Sequence, residues 1–200
     1  MQLVVITPPA LSLGEPRVVN SLCAAGCTAL HVRKPGASAA ELREYVQAVA
    51  PAFHCRLVLH SHHALAEELG LKGIHFRERD RPAPPLRRGA AGRSQSTSLH
   101  SLADVARPDW GALDYAFLSP VFDSISKAGY AAAGFERGAL AAALARAPMP
   151  VLALGGVTPA RLPELRELGF AGAGVLGAVW GADDPVSAFA AFLRAAEAPP

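Results

Sequence analysis

Val151-Leu152-Ala153-Leu154-Gly155-Gly156-Val157-Thr158-Pro159 and its echo, Gly174-Val175-Leu176-Gly177-Ala178-Val179, decide how this chain folds. Each is a short apolar run that breaks into glycine, and each is followed by a helix-start pair, Thr158 with Pro159 and Asp184 with Pro185. A strand that hands over to a helix through bare backbone offers N–H groups to an anion, and the helix N-terminus behind adds partial positive charge. In (β/α)8 barrels the phosphate site commonly lies in the loops after strands seven and eight. Gly155, Gly156, Leu176 and Gly177 are therefore candidate phosphate contacts, and six βα units are expected upstream.

Upstream, apolar runs at 3–7, 29–34, 56–61, 73–76 and 114–120 read as strands, and 93–98, polar for a strand, supplies the fifth. Between them, helical spacing recurs over 15–25, from the Ser38–Glu41 capping box through Leu42, Tyr45, Val46 and Val49, over 63–69, over 102–106 and over 137–147. Residues 77–91 are irregular, with room for one helical turn at 85–87, and 121–135 is a long loop. Further helices are expected around Leu162, Leu165 and Leu168, and at the end with Val186, Phe189, Phe192 and Leu193. Eight strand-then-helix units predict an α/β protein, a short single-domain (β/α)8 barrel over 1–200. The absence of Gly-x-Gly-x-x-Gly after the first strand favours it over an open dinucleotide-binding sheet.

With 51% hydrophobic and 18% charged residues, the composition is that of a globular enzyme. A net charge of +2 from scattered basic residues excludes a nucleic-acid footprint. No apolar run reaches about 18 residues, so no membrane span is expected. The N-terminus reads as a strand and not a signal peptide, which makes cytoplasmic the expected location. Cys23, Cys27 and Cys55 are expected to be buried, reduced thiols. The oligomeric state stays open, a homo-oligomer being one expectation.

Barrel active sites lie at the C-terminal strand ends, where alternate side chains point inward. That alternation puts His31 with Arg33, and His60 with His62, on common faces. The fourth strand offers His75 and then Asp80, the fifth Ser96, Ser98 and then His100, and the sixth is followed by Ser124, Ser126 and Lys127. Basic groups, hydroxyls and glycine turns at nearly every strand end suit an anionic ligand. His54 and His63 are read as structural or solvated loop residues.

Pro120-Val121-Phe122-Asp123-Ser124-Ile125-Ser126-Lys127 resembles the Pro-Val-Phe-x-Thr-x-Thr-Lys segment of thiamine phosphate synthases. Leu30 to Arg33, Gly73 to Phe76 with Asp80, Ser98 to Leu102, Pro150 to Val157 and the Gly174 turn resemble the family's other segments in order. The resemblance implies the superfamily of thiamine phosphate synthase and thiazole tautomerase, acting on small phosphorylated thiazole and pyrimidine substrates. It implies pyrophosphate contacts at Arg33 and Lys127, a metal ligand at Asp80, and thiazole-phosphate contacts at Ser124, Ser126, Gly156, Leu176 and Gly177.

The chain departs from the synthase pattern. The family's Glu-Lys after the arginine is Lys34-Pro35, its Asn-Asp after strand three is His60-Ser61, and His62 stands where an arginine is common. One carboxylate is little for a pyrophosphate-bound Mg2+, and imidazole is a proton-transfer group. These changes favour a metal-independent, tautomerase-like proton transfer by His31, His60, His62 or His100, although the tautomerase's own loop histidine is Pro120 here. The alternatives are a divergent Mg2+-dependent synthase and a non-catalytic barrel that binds a phosphorylated ligand.

Overall fold

The computed structural model describes residues 1–83, 92–123 and 134–198. Eight parallel strands, β1 (Gln2–Ile6), β2 (Leu30–Val32), β3 (Leu57–Leu59), β4 (Gly73–Phe76), β5 (Ser94–Leu99), β6 (Tyr115–Leu118), β7 (Val151–Ala153) and β8 (Gly172–Val175), pair in sequence order. Pairing of Gln2 with Gly172 through Val5 with Val175 closes the barrel. Around it run α1 (Glu15–Ala24), α2 (Ala39–Gln47), α3 (Ala64–Glu68), α4 (Leu102–Val105), α5 (Arg137–Ala145), α6 (Leu162–Leu168), α7 (Gly177–Trp180) and α8 (Pro185–Glu197). The expected (β/α)8 architecture is the observed one.

Local chemistry explains where the helices begin. Ser38 and Glu41 make both bonds of the capping box on α2, and the Asp184 carboxylate accepts from the Val186 amide at the start of α8. Thr158 differs: it precedes a 3-10 turn, Pro159–Arg161, and its hydroxyl makes no cap bond. The connection from β4 to β5 holds a 3-10 turn, Glu78–Asp80, among the described residues, and the helical turn expected at 85–87 lies outside them. The α7 turn directly after β8 was not expected from the sequence, because four residues are too few to show a periodicity.

Strand alternation divides the core in two. Outward side chains such as Leu3, Val5, Leu30, Val32, Leu57 and Leu59 pack against the helices. Inward ones build a separate apolar cluster of Val4, Ile6, Ala29, Tyr115, Phe117 and Leu152, which fills the side of the barrel formed by β1, β6 and β7. From β2 to β5 several buried inward positions are polar: His31, His60 just past β3, His75 and Ser96, with Val58 the apolar residue beneath His60. Each polar residue there needs a hydrogen-bond partner, which ties the interior chemistry to the site.

Two of the three cysteines are buried; Cys55, expected inside, is exposed on the 3-10 turn Pro51–Arg56. Burial pushes the Cys23 thiol up to about 11 and the Cys27 thiol up to about 12, so neither is a ready nucleophile. No helix among the described residues is long and apolar enough to cross a membrane.

Candidate active site

The inner histidines come from three adjacent strands. In the register, Leu30 pairs with Leu57 and Val58 with Gly73, so the inward faces of β2, β3 and β4 bring His31, His60 and His75 together. Nδ1 of His31 lies 2.8 Å from Nε2 of His60, and Nε2 of His31 lies 2.5 Å from the Tyr115 hydroxyl. The His75 ring stacks on His60 with centroids 4.1 Å apart. Its Nδ1 meets the Ser96 hydroxyl at 2.9 Å and its Nε2 the Ser98 hydroxyl at 3.0 Å. Each contact is open to two proton arrangements, since hydroxyls donate or accept and either imidazole nitrogen can carry the proton.

Burial, ahead of repulsion from neighbouring cations and imidazoles, pushes all three pKa values down, that of His75 to about 3. The three rings are neutral at physiological pH. Arg33, at the end of β2, is one of the charges that depress His60 and His75, and its guanidinium has no ion-pair or hydrogen-bond partner among the described residues.

His60 also walls a cleft of about 360 Å³ at the C-terminal mouth, with Ser61, His62, His63, Arg77 and Asp80. Nδ1 of His60 has no hydrogen-bond partner among the described residues. The buried Ser61 hydroxyl likewise lacks one. Asp80 is ion-paired to Arg77 and lies 3.6 Å from Arg79, so the cleft's carboxylate is already neutralised.

The expected cluster of His31, His60 and His62 does not form as such. His62 adopts a left-handed backbone, φ +50°, which breaks strand alternation. Its Nε2 donates to the Ala37 carbonyl at 2.9 Å on the exposed rim of the cleft. His100 is exposed and its Nδ1 donates to the Ser119 carbonyl at 2.8 Å. His75 takes the third place instead, and Tyr115 joins it; both sit at inward positions by the period of two, a signal present in the sequence. His63 donates to the His75 carbonyl and His54 to the carbonyls of Val46 and Val49, both bonds that hold the backbone.

Lys34 does not reach the cleft. Its ammonium is buried, 2.6 Å from Glu15 and 2.7 Å from the carbonyls of both Pro8 and Ala10, while Glu15 also accepts from Tyr45 at 2.5 Å. The charge after Arg33 is thus consumed in fastening the loop that follows β1 to α1 and α2.

On the other side of the mouth, Gly155 and Gly156 have φ of +98° and +62°. A Cβ on Gly156 would lie 2.2 Å from the Asp123 carbonyl oxygen, so only glycine lets the turn after β7 lie flat against 120–123. The amides of Val121 and Phe122 donate to the carbonyls of Leu154 and Gly155 at 3.0 and 3.2 Å. Ser124, Ser126 and Lys127, which follow in the sequence, lie outside the described residues. Leu176 and Gly177 form the junction of β8 and α7.

Comparison with known proteins fits this geometry. A family model described as thiamine monophosphate synthase matches residues 3–179. The thiamine-phosphate synthase of Listeria monocytogenes is 28% identical over 180 residues, 84% of this chain and 83% of its own. That of Chloroflexus aurantiacus is 28% identical over 203 aligned positions, 97% of this chain and 91% of its own. The crystal structure of thiamine phosphate pyrophosphorylase from Bacteroides thetaiotaomicron superposes with a TM-score of 0.82 at 29% identity, covering 98% of both chains. These relatives support the synthase reading, placed second from the sequence, and give no support to the tautomerase-like reading placed first. With a closed barrel, a basic cleft and a family match across nearly the whole chain, this protein is an enzyme of the thiamine monophosphate synthase family.

Proposed function

We propose that the enzyme joins a phosphorylated thiazole to a pyrimidine carried as its pyrophosphate ester. The thiazole nitrogen forms a bond to the exocyclic carbon of the pyrimidine, the carbon–oxygen bond to pyrophosphate breaks, and pyrophosphate leaves with the bonding pair. The observation that carries this reading is the family match over residues 3–179, which includes the strand ends that build the cleft. The Arg33 guanidinium meets the charge that develops on the leaving pyrophosphate, with Lys127 as its expected second contact. Main-chain groups at Gly155, Gly156, Leu176 and Gly177, with the hydroxyls of Ser124 and Ser126, hold the thiazole phosphate. His60, neutral and with a free Nδ1, offers a hydrogen bond to the substrate at the inner end of the cleft.

The resemblance brings Mg2+ with it, and the residues present do not fit that ion. Mg2+ demands a near-octahedral set of oxygens. The cleft offers one carboxylate, Asp80, held by Arg77 and facing Arg79, beside a lone hydroxyl, Ser61. Residues 84–91 and 124–133 contain no Asp or Glu that could add to it.

The test follows pyrophosphate release from purified protein given thiazole phosphate and pyrimidine pyrophosphate, with and without added Mg2+. Release that requires both substrates is expected, with turnover falling about 10²–10³-fold in Arg33→Met. Thiazole phosphate that binds without any release would instead make the barrel a binder.

A further inference from the structure

We propose that His31, His60 and His75 are the ligands of a site for one late first-row divalent cation, of the Zn2+ or Co2+ class, inside the barrel. The three side chains present nitrogens that all lie within 4.8 Å of one another. Tetrahedral coordination with Zn–N bonds of about 2.0–2.1 Å puts ligand nitrogens about 3.3 Å apart. The 2.8 Å between His31 and His60 and the 4.8 Å limit bracket that value, so small side-chain rotations close the site.

The surroundings already have the form of an outer shell. A ligating imidazole usually donates its second N–H to a fixed partner, which sets the tautomer and aims the lone pair. For His31 that partner is Tyr115; for His75 it is Ser96 or Ser98, whichever nitrogen ligates. When His31 carries its proton on Nε2 and His60 on Nδ1, Nδ1 of His31 and Nε2 of His60 face each other as two lone pairs. This arrangement differs from the hydrogen-bonded one by a tautomer shift and by no net proton. Burial keeps all three rings in the neutral form that ligates.

Donor chemistry selects the cation. Three imidazoles suit Zn2+, Co2+, Ni2+ or Cu2+ and discriminate against Mg2+, which the cleft also fails to serve. Three protein nitrogens leave a fourth position for water or for an oxygen of an anionic substrate, and His60 connects the cluster to the cleft. The site also accounts for the uneven interior. The β1, β6 and β7 side is filled with apolar side chains, as barrel interiors usually are, whereas the β2–β4 side holds three buried imidazoles.

The test uses chelator-treated full-length protein and Zn2+ or Co2+ alone, with no substrate, so that it stands apart from the pyrophosphate assay. Calorimetry is expected to show one equivalent bound, and Co2+ to give the intense visible bands of a tetrahedral site. His60→Gln and His75→Gln should each weaken binding at least about 100-fold, and Tyr115→Phe about 10–100-fold. His62→Ala, His63→Ala and Cys55→Ser should bind as the parent does. Circular dichroism checks that each variant is folded, and His60→Gln, at the cleft wall, serves if His75→Gln is not. No saturable binding by the parent, an unchanged Co2+ spectrum in folded His60→Gln, or loss of binding in His62→Ala or Cys55→Ser would overturn the proposal.

Discussion

At the scale of single residues, the most consequential departure from the family pattern is structural in effect. Lys34 follows Arg33 in the sequence and looks like a second cation for an anionic substrate, yet it is buried against Glu15, Pro8 and Ala10. Burial lowers its pKa, and the hydrogen bond and charge of Glu15 counteract that. Removing one partner of such a pair strands the other charge and two carbonyls, at about 3–5 kcal/mol. Lys34→Met should therefore lower the thermal midpoint sharply, and parent-like stability would show that the network contributes nothing. Arg33, one residue earlier, has no such partner among the described residues, which is what its proposed contact with the leaving pyrophosphate requires. Adjacent basic residues thus meet different surroundings, because Lys34 is drawn into the packing of the loop after β1 and Arg33 is not.

At the scale of elements, β2, β3 and β4 act together as a ladder of imidazoles. An unfolded histidine titrates near 6.5, and burial lowers all three in the fold, His75 to about 3. Below pH 6.5 the unfolded chain therefore binds protons that the folded one does not. Stability is complete above that pH and is lost as pH falls from 6.5 towards 3, by at most about 1.4 kcal/mol per pH unit for each histidine. Chelator-treated protein should show a thermal midpoint that declines steadily between pH 7 and pH 4. His75→Gln should decline less steeply over the same range, whatever its starting value. Equal slopes would assign the acid sensitivity to other groups. The helices follow simpler rules, and their capping residues were readable directly: Ser38 with Glu41, and Asp184 with Pro185.

At the scale of the whole molecule, closure depends on close backbone approach. Where β8 meets β1, a Cβ on Gly172 would lie 2.2 Å from the Gln2 carbonyl oxygen, leaving no room for a side chain. Gly172→Ala should cost about 1–3 kcal/mol in a denaturant titration, since relief requires the two strands to part. A midpoint equal to the parent's would mean that the seam tolerates the shift. Closure also brings the glycine turns after β7 and β8, the segment 120–123 and the histidines of β2–β4 around one mouth.

What the sequence by itself determined was everything governed by local periodicity and backbone chemistry. Eight strand-and-helix units, the caps and the left-handed glycines at 155 and 156 follow from side-chain spacing and from which residues tolerate φ > 0. The family resemblance was legible too, because its segments are contiguous. Tertiary structure alone decided which polar groups meet. Register between strands set His75, not His62, beside His31 and His60, and the left-handed turn at His62 carried that side chain to the rim. Packing of the loop after β1 drew Lys34 inward to Glu15. Register and loop packing depend on partners distant in the chain, so no window of sequence contains the information that places these groups.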